Sequence, residues 1–154
     1  MVHDIGSTLD ALVELQGAVE AGEHEIKKAW KFIAPQNVVI PETPCFMNDY
    51  TLRGEERGMS LLIGQWTIRS HIYTYDADLE VAAEMVTQLL EAYRRALGKD
   101  TSLQGNIDGG ARLRGSDPTL GAVERAGRSF MTVETFLDFE IKEPFDFATK
   151  PKKG

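Results

Sequence analysis

The sequence has one cysteine, Cys45, among 154 residues, so no disulfide can form within a single chain. No stretch approaches the roughly 20 apolar residues that a membrane-spanning helix needs. There is also no cationic start followed by an apolar run of the kind that marks a secretory signal. These absences argue against a disulfide scaffold and an integral membrane protein. They lead us to expect synthesis in a reducing cytoplasm.

Positive charge is scarce relative to negative charge: 17 Lys and Arg residues face 24 Asp and Glu residues, for a net charge of -7. A diffuse negative potential opposes the release of counterions that drives binding to nucleic acid. Surface binding to DNA or RNA is therefore not expected. The same charge would suit the wall of a channel through which a polyanion slides, because repulsion keeps the polyanion from sticking.

Constellations that carry chemistry are also lacking. His3, His24 and His71 lie far apart, and none has a second ligand at a metal-binding spacing. Cys45 has no neighbouring base, and a lone cysteine is more often a small apolar filler than a nucleophile. The sequence predicts no catalytic, cofactor-binding or metal site, and we do not expect an enzyme.

Two alternatives from other functional classes stay open. One is a small cytoplasmic enzyme whose site forms only in an oligomer, with His71, Glu134 or Cys45 contributed across an interface. It predicts a pocket in which the ionisation of a histidine or carboxylate is perturbed. The other is a binding module that is monomeric or dimeric in solution.

Two stretches have the apolar spacing of amphipathic helices. The first runs from an N-cap at Ser7 to about Gly22, with Leu9, Leu12 and Val19 on its apolar face. The second is capped by Asp76 and closed by Gly98, where a left-handed residue is normally needed.

Strands are predicted where β-branched and aromatic residues alternate with polar ones. The clearest are residues 59–75 and residues 130–141, and the latter is typical of a half-buried antiparallel strand. One or two short strands are expected between residues 25 and 40. A hairpin is expected from residues 102–107, through a turn at residues 108–110, into residues 111–113.

Two long connections are predicted. Pro41, Pro44, Asn48, Asp49 and Gly54 indicate a long loop over residues 42–58, and such loops usually belong to a function or to disorder. Pro118 and several glycines indicate a second connection over residues 115–127.

The order of these elements predicts an α+β fold: a mainly antiparallel sheet with two main helices packed on one face. Residues 1–143 form a single domain in this interpretation. Residues 144–154 form a basic, flexible C-terminal tail.

Arginines concentrate in or beside the predicted loops, and they include Arg53, Arg57, Arg112 and Arg114. Arginine is favoured at protein interfaces because its planar fork pairs bidentately with carboxylates. A solvated loop explains the same residues about as well. Acidic helices and basic loops on one small domain would nevertheless permit head-to-tail contacts between identical subunits, which can close into rings.

The order of features resembles the tail terminator proteins of long-tailed, siphovirus-type bacteriophages. The resemblance rests on the opening helix, the proline-marked residues 38–44, the strand at residues 61–75 and the final strand. It rests above all on residues 82–105, where a helix ends at Leu97 and Gly98 and is followed by Asp100, Thr101, Leu103 and Gly105. It covers most of the chain, from Thr8 to Glu143.

The resemblance implies a structural protein of the virion that forms a homohexameric ring at the head-tail junction. Such a ring caps the completed tail tube and offers its other face to the head connector or stopper protein, while DNA passes through the lumen without specific binding. Its partners would be the tail tube protein and the connector, with no membrane involved. Another neck component, such as a head-completion or connector protein, is the nearest alternative.

The expected contacts with other subunits or the tube lie in the predicted loop over residues 42–58, in residues 98–105 and in or next to the second strand of the predicted hairpin. They are Arg53, Glu55, Glu56, Arg57, Asp100, Thr101, Leu103, Arg112 and Arg114.

Overall fold

The computed structural model describes residues 4–40, 42–114 and 120–144. Two helices and a mixed sheet make up most of it. In chain order the elements are α1 (Ile5–Gly17), β1 (Glu20–Ala21), β2 (His24–Glu25), β3 (Lys28–Trp30), β4 (Cys45–Arg57), β5 (Leu61–Thr74), α2 (Leu79–Lys99), β6 (Asp108–Arg114), β7 (Leu120–Arg125) and β8 (Arg128–Pro144).

The main sheet has the strand order β3-β4-β5-β8-β6, and β7 also pairs with β8. Only β3 and β4 run parallel, and the other pairs are antiparallel. The longest ladder joins β5 to β8, from Leu61 opposite Pro144 to Thr74 opposite Met131. β1 and β2 form a separate two-stranded hairpin.

Both helices pack against one face of this sheet. Alternate residues of β5 and β8, such as Ile68 and Leu137, are buried in one cluster with Leu12 of α1 and Leu89 of α2. This follows from the two periodicities, because alternate strand residues and every third or fourth helical residue lie on a single face. The predicted α+β class, mainly antiparallel sheet and two helices are confirmed.

The opposite face is covered at one end only. There residues 32–40, named here the strap, pack over Cys45, Met47, Tyr73 and Phe130. These four residues and Ile40 of the strap form a smaller apolar group, named here the second cluster. Towards the other end of the sheet, this face carries polar and charged side chains of β4, β5, β8 and β6.

The predicted loop over residues 42–58 was wrong, because residues 45–57 form the 13-residue strand β4. Its first residues, Cys45, Phe46 and Met47, are buried, and the strand then pairs along almost the whole of β5. A long partner strand outweighs the turn-forming tendency of Asn48, Asp49 and Gly54.

The predicted connection over residues 115–127 was also partly wrong. Residues 120–125 form β7, which pairs with β8 through a turn at Ala126 and Gly127, both with positive φ. Residues 115–119 lie outside the described residues, as does the predicted tail from residue 145 onward.

The predicted hairpin at residues 102–113 was partly wrong: residues 111–113 lie in β6, but residues 102–107 form no strand. Residues 101–106 form turns, with positive φ at Leu103, Gln104 and Gly105. The strand begins only at Asp108 and pairs with β8 across an irregularity at Gly109 and Gly110.

The two helices are present, but their ends differ from the predicted ends. α1 is capped by Asp4 rather than Ser7 and ends at Gly17 rather than near Gly22. α2 is capped by Asp78 rather than Asp76 and continues through Gly98 to Lys99. One or two short strands were expected between residues 25 and 40, and this range contains β3 and the last residue of β2, while residues 38–40 form no strand.

Candidate subunit interface

The predicted interface residues lie on two strands of the same sheet and on one turn. β4 carries Arg53, Glu55, Glu56 and Arg57, and β6 carries Arg112 and Arg114. Asp100, Thr101 and Leu103 lie between α2 and β6. The sheet separates the two strands by β5 and β8, so the predicted residues fall at its opposite sides.

One side of the sheet is an open edge formed by β4. β3 pairs with β4 only along Cys45, Phe46 and Met47. Within the described residues, residues 48–57 therefore have β5 as their one strand partner. Unpaired backbone N–H and C=O groups along such an edge are a template for pairing with another chain.

The other side of the sheet is formed by β6 along residues 136–140 of β8 and by β7 along residues 128–133, and within the described residues both strands pair with β8 alone. The turn before β6 holds this strand in place. The carbonyl of Thr101 accepts a hydrogen bond from the backbone N–H of Ala111 at 2.7 Å. The carboxylate of Asp100 accepts one from the backbone N–H of Gln104 at 3.0 Å. Asp100 and Thr101 thus shape the turn that presents β6.

Leu103 does not lie at the surface. Its side chain is completely buried in the main core, with a positive φ of 49°. It anchors the turn beneath β6, and no part of its side chain is available to a neighbouring subunit. Sequence spacing alone could not distinguish an exposed leucine in a turn from one that points inward.

A polar cluster lies between the two edges, on the sheet face that the helices do not cover. Its centre is Asp138 of β8, which pairs with Arg114 at 3.0 Å and with Arg53 at 3.6 Å. The hydroxyl of Thr67 also donates to Asp138. Two of the predicted arginines, from opposite sides of the sheet, therefore meet on one carboxylate.

The ionisation of Asp138 reflects this arrangement. Partial burial raises its pKa, but hydrogen bonds from Thr67 and Arg114 and the positive charge of Arg53 outweigh the effect. The pKa of Asp138 therefore lies below its ordinary value, and the carboxylate stays charged. The guanidinium of Arg114 also lies 4.8 Å from the centre of the Phe136 ring, which orients it further.

A second ion pair continues the cluster along β4 and β5. Arg69 donates through two nitrogens to the carboxylate of Asp49, and this hydrogen bonding raises the pKa of Arg69. The pair and the Asp138 group border a hollow of about 380 Å³. Sequence reasoning missed four residues of this cluster, although polar residues alternate with apolar ones in β5 and β8. They are Asp49 of β4, Thr67 and Arg69 of β5, and Asp138 of β8.

The hairpin that joins β4 to β5 is highly exposed. Met59 near its tip is 93% exposed, and Tyr50, Leu52 and Leu61 on its two strands are exposed as well. The side chains of Tyr50 and Trp66 contact each other across the strands, with ring centres 5.9 Å apart. Apolar side chains on a projecting hairpin provide area for contact with another protein surface.

A groove on the second cluster's side of the sheet bears on the enzyme alternative. It measures about 570 Å³ and is lined by His71, Glu134, Arg125 and the strap. His71 Nε2 lies 3.4 Å from a Glu134 carboxylate oxygen. Burial lowers the pKa of His71, although the negative charge of Glu134 acts in the opposite direction. This is the perturbed histidine that the enzyme alternative predicts.

Cys45 does not provide a nucleophile for that groove. It lies beneath the strap with no exposed area, and burial raises the pKa of its thiol to about 12. The thiol therefore stays protonated near neutral pH, whereas cysteine chemistry requires the thiolate. The groove thus brings His71 and Glu134 together without a reactive thiol.

Metal-binding groups and membrane-spanning helices are both absent from the described residues. No group of three or more His, Cys, Asp or Glu side chains is placed to hold a metal ion in residues 4–40, 42–114 and 120–144. Over the same residues, neither helix combines the length and the apolar character needed to cross a membrane. No protein-family model matches the sequence, and a search of curated proteins finds no significant match.

Proposed function

We propose that this chain is the subunit of a homohexameric ring at the head-tail junction of a long-tailed phage. The ring caps the completed tail tube, stops its polymerisation and presents its other face to the head connector or stopper protein. In this role the protein works through surfaces that fit other subunits, and it is a component of the virion.

One observation carries the proposal: a single sheet has two edges, and six of the nine predicted interface residues lie on the strands that form them, four on β4 and two on β6. Pairing of the β4 edge of one copy with the β6 edge of the next is a head-to-tail contact. Contacts of this kind close into rings when the rotation between subunits is right. Backbone hydrogen bonds supply most of such a contact, so it tolerates wide variation in side chains.

Charge supports the same pairing. β4 carries three carboxylates and two arginines, for a net charge of -1, and β6 carries one carboxylate and two arginines, for a net charge of +1. Across such a contact, Arg112 of one copy would lie beside one of the neighbouring carboxylates Glu55 and Glu56, which point to opposite faces of the sheet. Arg114 stays paired with Asp138 of its own subunit. Opposite charges across an interface favour the correct register and suppress other pairings.

The overall charge of -7 fits a ring through which DNA passes. A lumen wall with this excess of carboxylates repels the phosphate backbone, so DNA slides without being held. The exposed tip of the β4–β5 hairpin, with Met59 and the neighbouring Arg57, offers a surface for the tube or the connector.

The test is a capping assay with the tail tube protein of the same phage. Adding the purified chain should stop tube growth and shorten the tubes, at a ratio of about one ring per tube end. The variant Arg112→Glu should lose most capping, because it would place a like charge beside the carboxylates of β4 in the next copy. Arg114 is left unchanged, since its replacement would also break the ion pair with Asp138. Arg95→Glu, an exposed site on α2, is the matched control and should cap normally.

Unchanged tube lengths at saturating protein would exclude the terminator role. If the protein then binds purified heads filled with DNA, the alternative neck function, as a head-completion or connector protein, would be correct instead.

A further inference from the structure

The strap is held to the rest of the protein by few contacts. Arg125 donates through Nη1 to the carbonyls of Ala34 and Pro35, at 2.7 and 2.9 Å. The backbone N–H of Ala126 donates to the carbonyl of Gln36 at 3.1 Å. These contacts all come from one end of β7 and the turn that follows it. Within the described residues, no strand pairs with the strap.

The packing of the strap against the second cluster is apolar, and the Phe32 ring of the strap also contacts the Trp30 ring. Ile40 is 4% exposed, and together with Ile33 and Ala34 it packs over Cys45, Met47, Tyr73 and Phe130. Its outer surface, by contrast, includes Phe32, Val38 and Val39, which are 54%, 44% and 65% exposed. A segment with a small buried side and an apolar outer side gains little from remaining closed.

Polar groups near the strap are left without partners. Four buried side-chain nitrogen or oxygen atoms in the described part of the chain have no hydrogen-bond partner: Trp30 Nε1, His71 Nε2, Arg125 Nε and Thr132 Oγ1. Trp30 packs against the second cluster, and the other three belong to residues that line the groove beside the strap. Buried polar atoms without partners destabilise the state that buries them. None of the four atoms belongs to the strap itself, but all of them lie in residues next to it.

We propose that the strap opens as a unit while the rest of the domain stays folded, and that Arg125 is the latch that keeps it closed. Opening admits water to the unpartnered polar atoms and exposes the second cluster next to the polar sheet face. The protein thus has an apolar surface that is hidden until the latch is released. This inference does not depend on the proposed ring function.

Cys45 is a built-in reporter of this motion, because it is the one cysteine in the chain and has no exposed area when the strap is closed. Alkylation of the full-length protein by iodoacetamide measures how often the thiol becomes accessible. If only the strap opens, the alkylation rate should change less than about twofold between 0 and 1 M urea. Global unfolding of a small protein would raise it by roughly five- to 150-fold over the same range.

The Arg125→Gln variant removes the guanidinium that binds Ala34 and Pro35, and it should raise the alkylation rate by about tenfold or more. Arg128→Gln, on the same β7–β8 hairpin, is the matched control. The guanidinium of Arg128 lies over the Tyr75 ring, and its removal should leave the alkylation rate nearly unchanged. Global unfolding is followed in parallel by tryptophan fluorescence, so that each rate is compared with the global stability of the same variant.

Hydrogen exchange at the Ala126 amide gives a second readout that needs no variant. Its exchange should be at least tenfold faster than that of core amides in β5. The inference is overturned if alkylation follows the urea dependence of global unfolding, or if Cys45 does not react at all. It is also overturned if Arg125→Gln speeds alkylation only as much as it promotes global unfolding.

Discussion

Asn48 joins α1 to the sheet through buried hydrogen bonds, and its replacement gives a well-defined test of the fold. Its amide nitrogen donates to Gln16 Oε1 at 2.7 Å and to the Trp30 carbonyl at 2.8 Å. Its amide oxygen accepts from Gln16 Nε2 at 2.9 Å and from the Ser70 hydroxyl at 2.6 Å. Asn48, Gln16 and Ser70 are all fully buried.

The expected cost of Asn48→Leu follows from these contacts. Four hydrogen bonds are lost, each worth about 1 kcal/mol net, and Gln16, Ser70 and the Trp30 carbonyl lose partners in a place that water does not reach. We expect the free energy of unfolding to fall by about 3–5 kcal/mol. For a domain of this size that corresponds to a melting temperature lower by about 6–20 °C.

The assay is urea unfolding followed by tryptophan fluorescence, with Asn37→Leu as the matched control at an exposed position. The control should stay within about 0.5 kcal/mol of the unmodified protein. The double variant Gln16→Leu/Asn48→Leu should lose clearly less than the sum of the two single variants, because the two side chains bond each other and neither is then left without its partner. A loss below about 1 kcal/mol for Asn48→Leu, or simple additivity, would refute the reasoning.

Three further predictions concern single sites. Gly64→Ala should lower the free energy of unfolding by about 1–3 kcal/mol and shift the tryptophan emission, because an added Cβ would lie 2.6 Å from Trp66 Nε1. Gly121→Ala is the control, since an added Cβ there has open space around it. Equal losses of stability in the two variants would contradict this packing. Leu103→Ala should cost about 2–5 kcal/mol in urea unfolding, as expected for a core leucine; a loss under about 0.5 kcal/mol would indicate an exposed side chain. The pKa of His71 is lowered in the folded state, so the unfolded chain binds more protons below about pH 6.5 and the free energy of unfolding should fall as the pH is lowered from about 6.5. Urea midpoints measured between about pH 5 and 8 should decrease less in His71→Asn than in the unmodified protein, whereas His24→Asn should behave like the unmodified protein. Equal slopes in these three proteins would refute the prediction.

The elements with strong periodicity could be predicted from sequence. α2 and the strands β5 and β8 combine long, regular patterns with burial on one face, so composition and tertiary packing favour the same structure. β4 was missed because Pro41, Pro44 and Gly54 favour turns, whereas its stability comes from pairing with a distant strand. Local sequence carries no record of that partner.

The candidate interface was predicted by residue type more than by geometry. Arg53, Arg112 and Arg114 were expected from the preference of arginine for interfaces, and two of them meet on one carboxylate. Asp138 and Asp49 could not be identified in advance, because strand register decides which residues lie opposite each other and on which face of the sheet they lie. A shift of one residue would have placed both carboxylates against the helices.

Electron microscopy of phage tails to which this chain has been added tests the proposed function most directly. The account predicts one hexameric ring of this chain at the end of the tail tube nearest the head, with β4 of each subunit next to β6 of the following one. Tails that lack the protein at that end, or a ring in which neither sheet edge contacts another subunit, would contradict it.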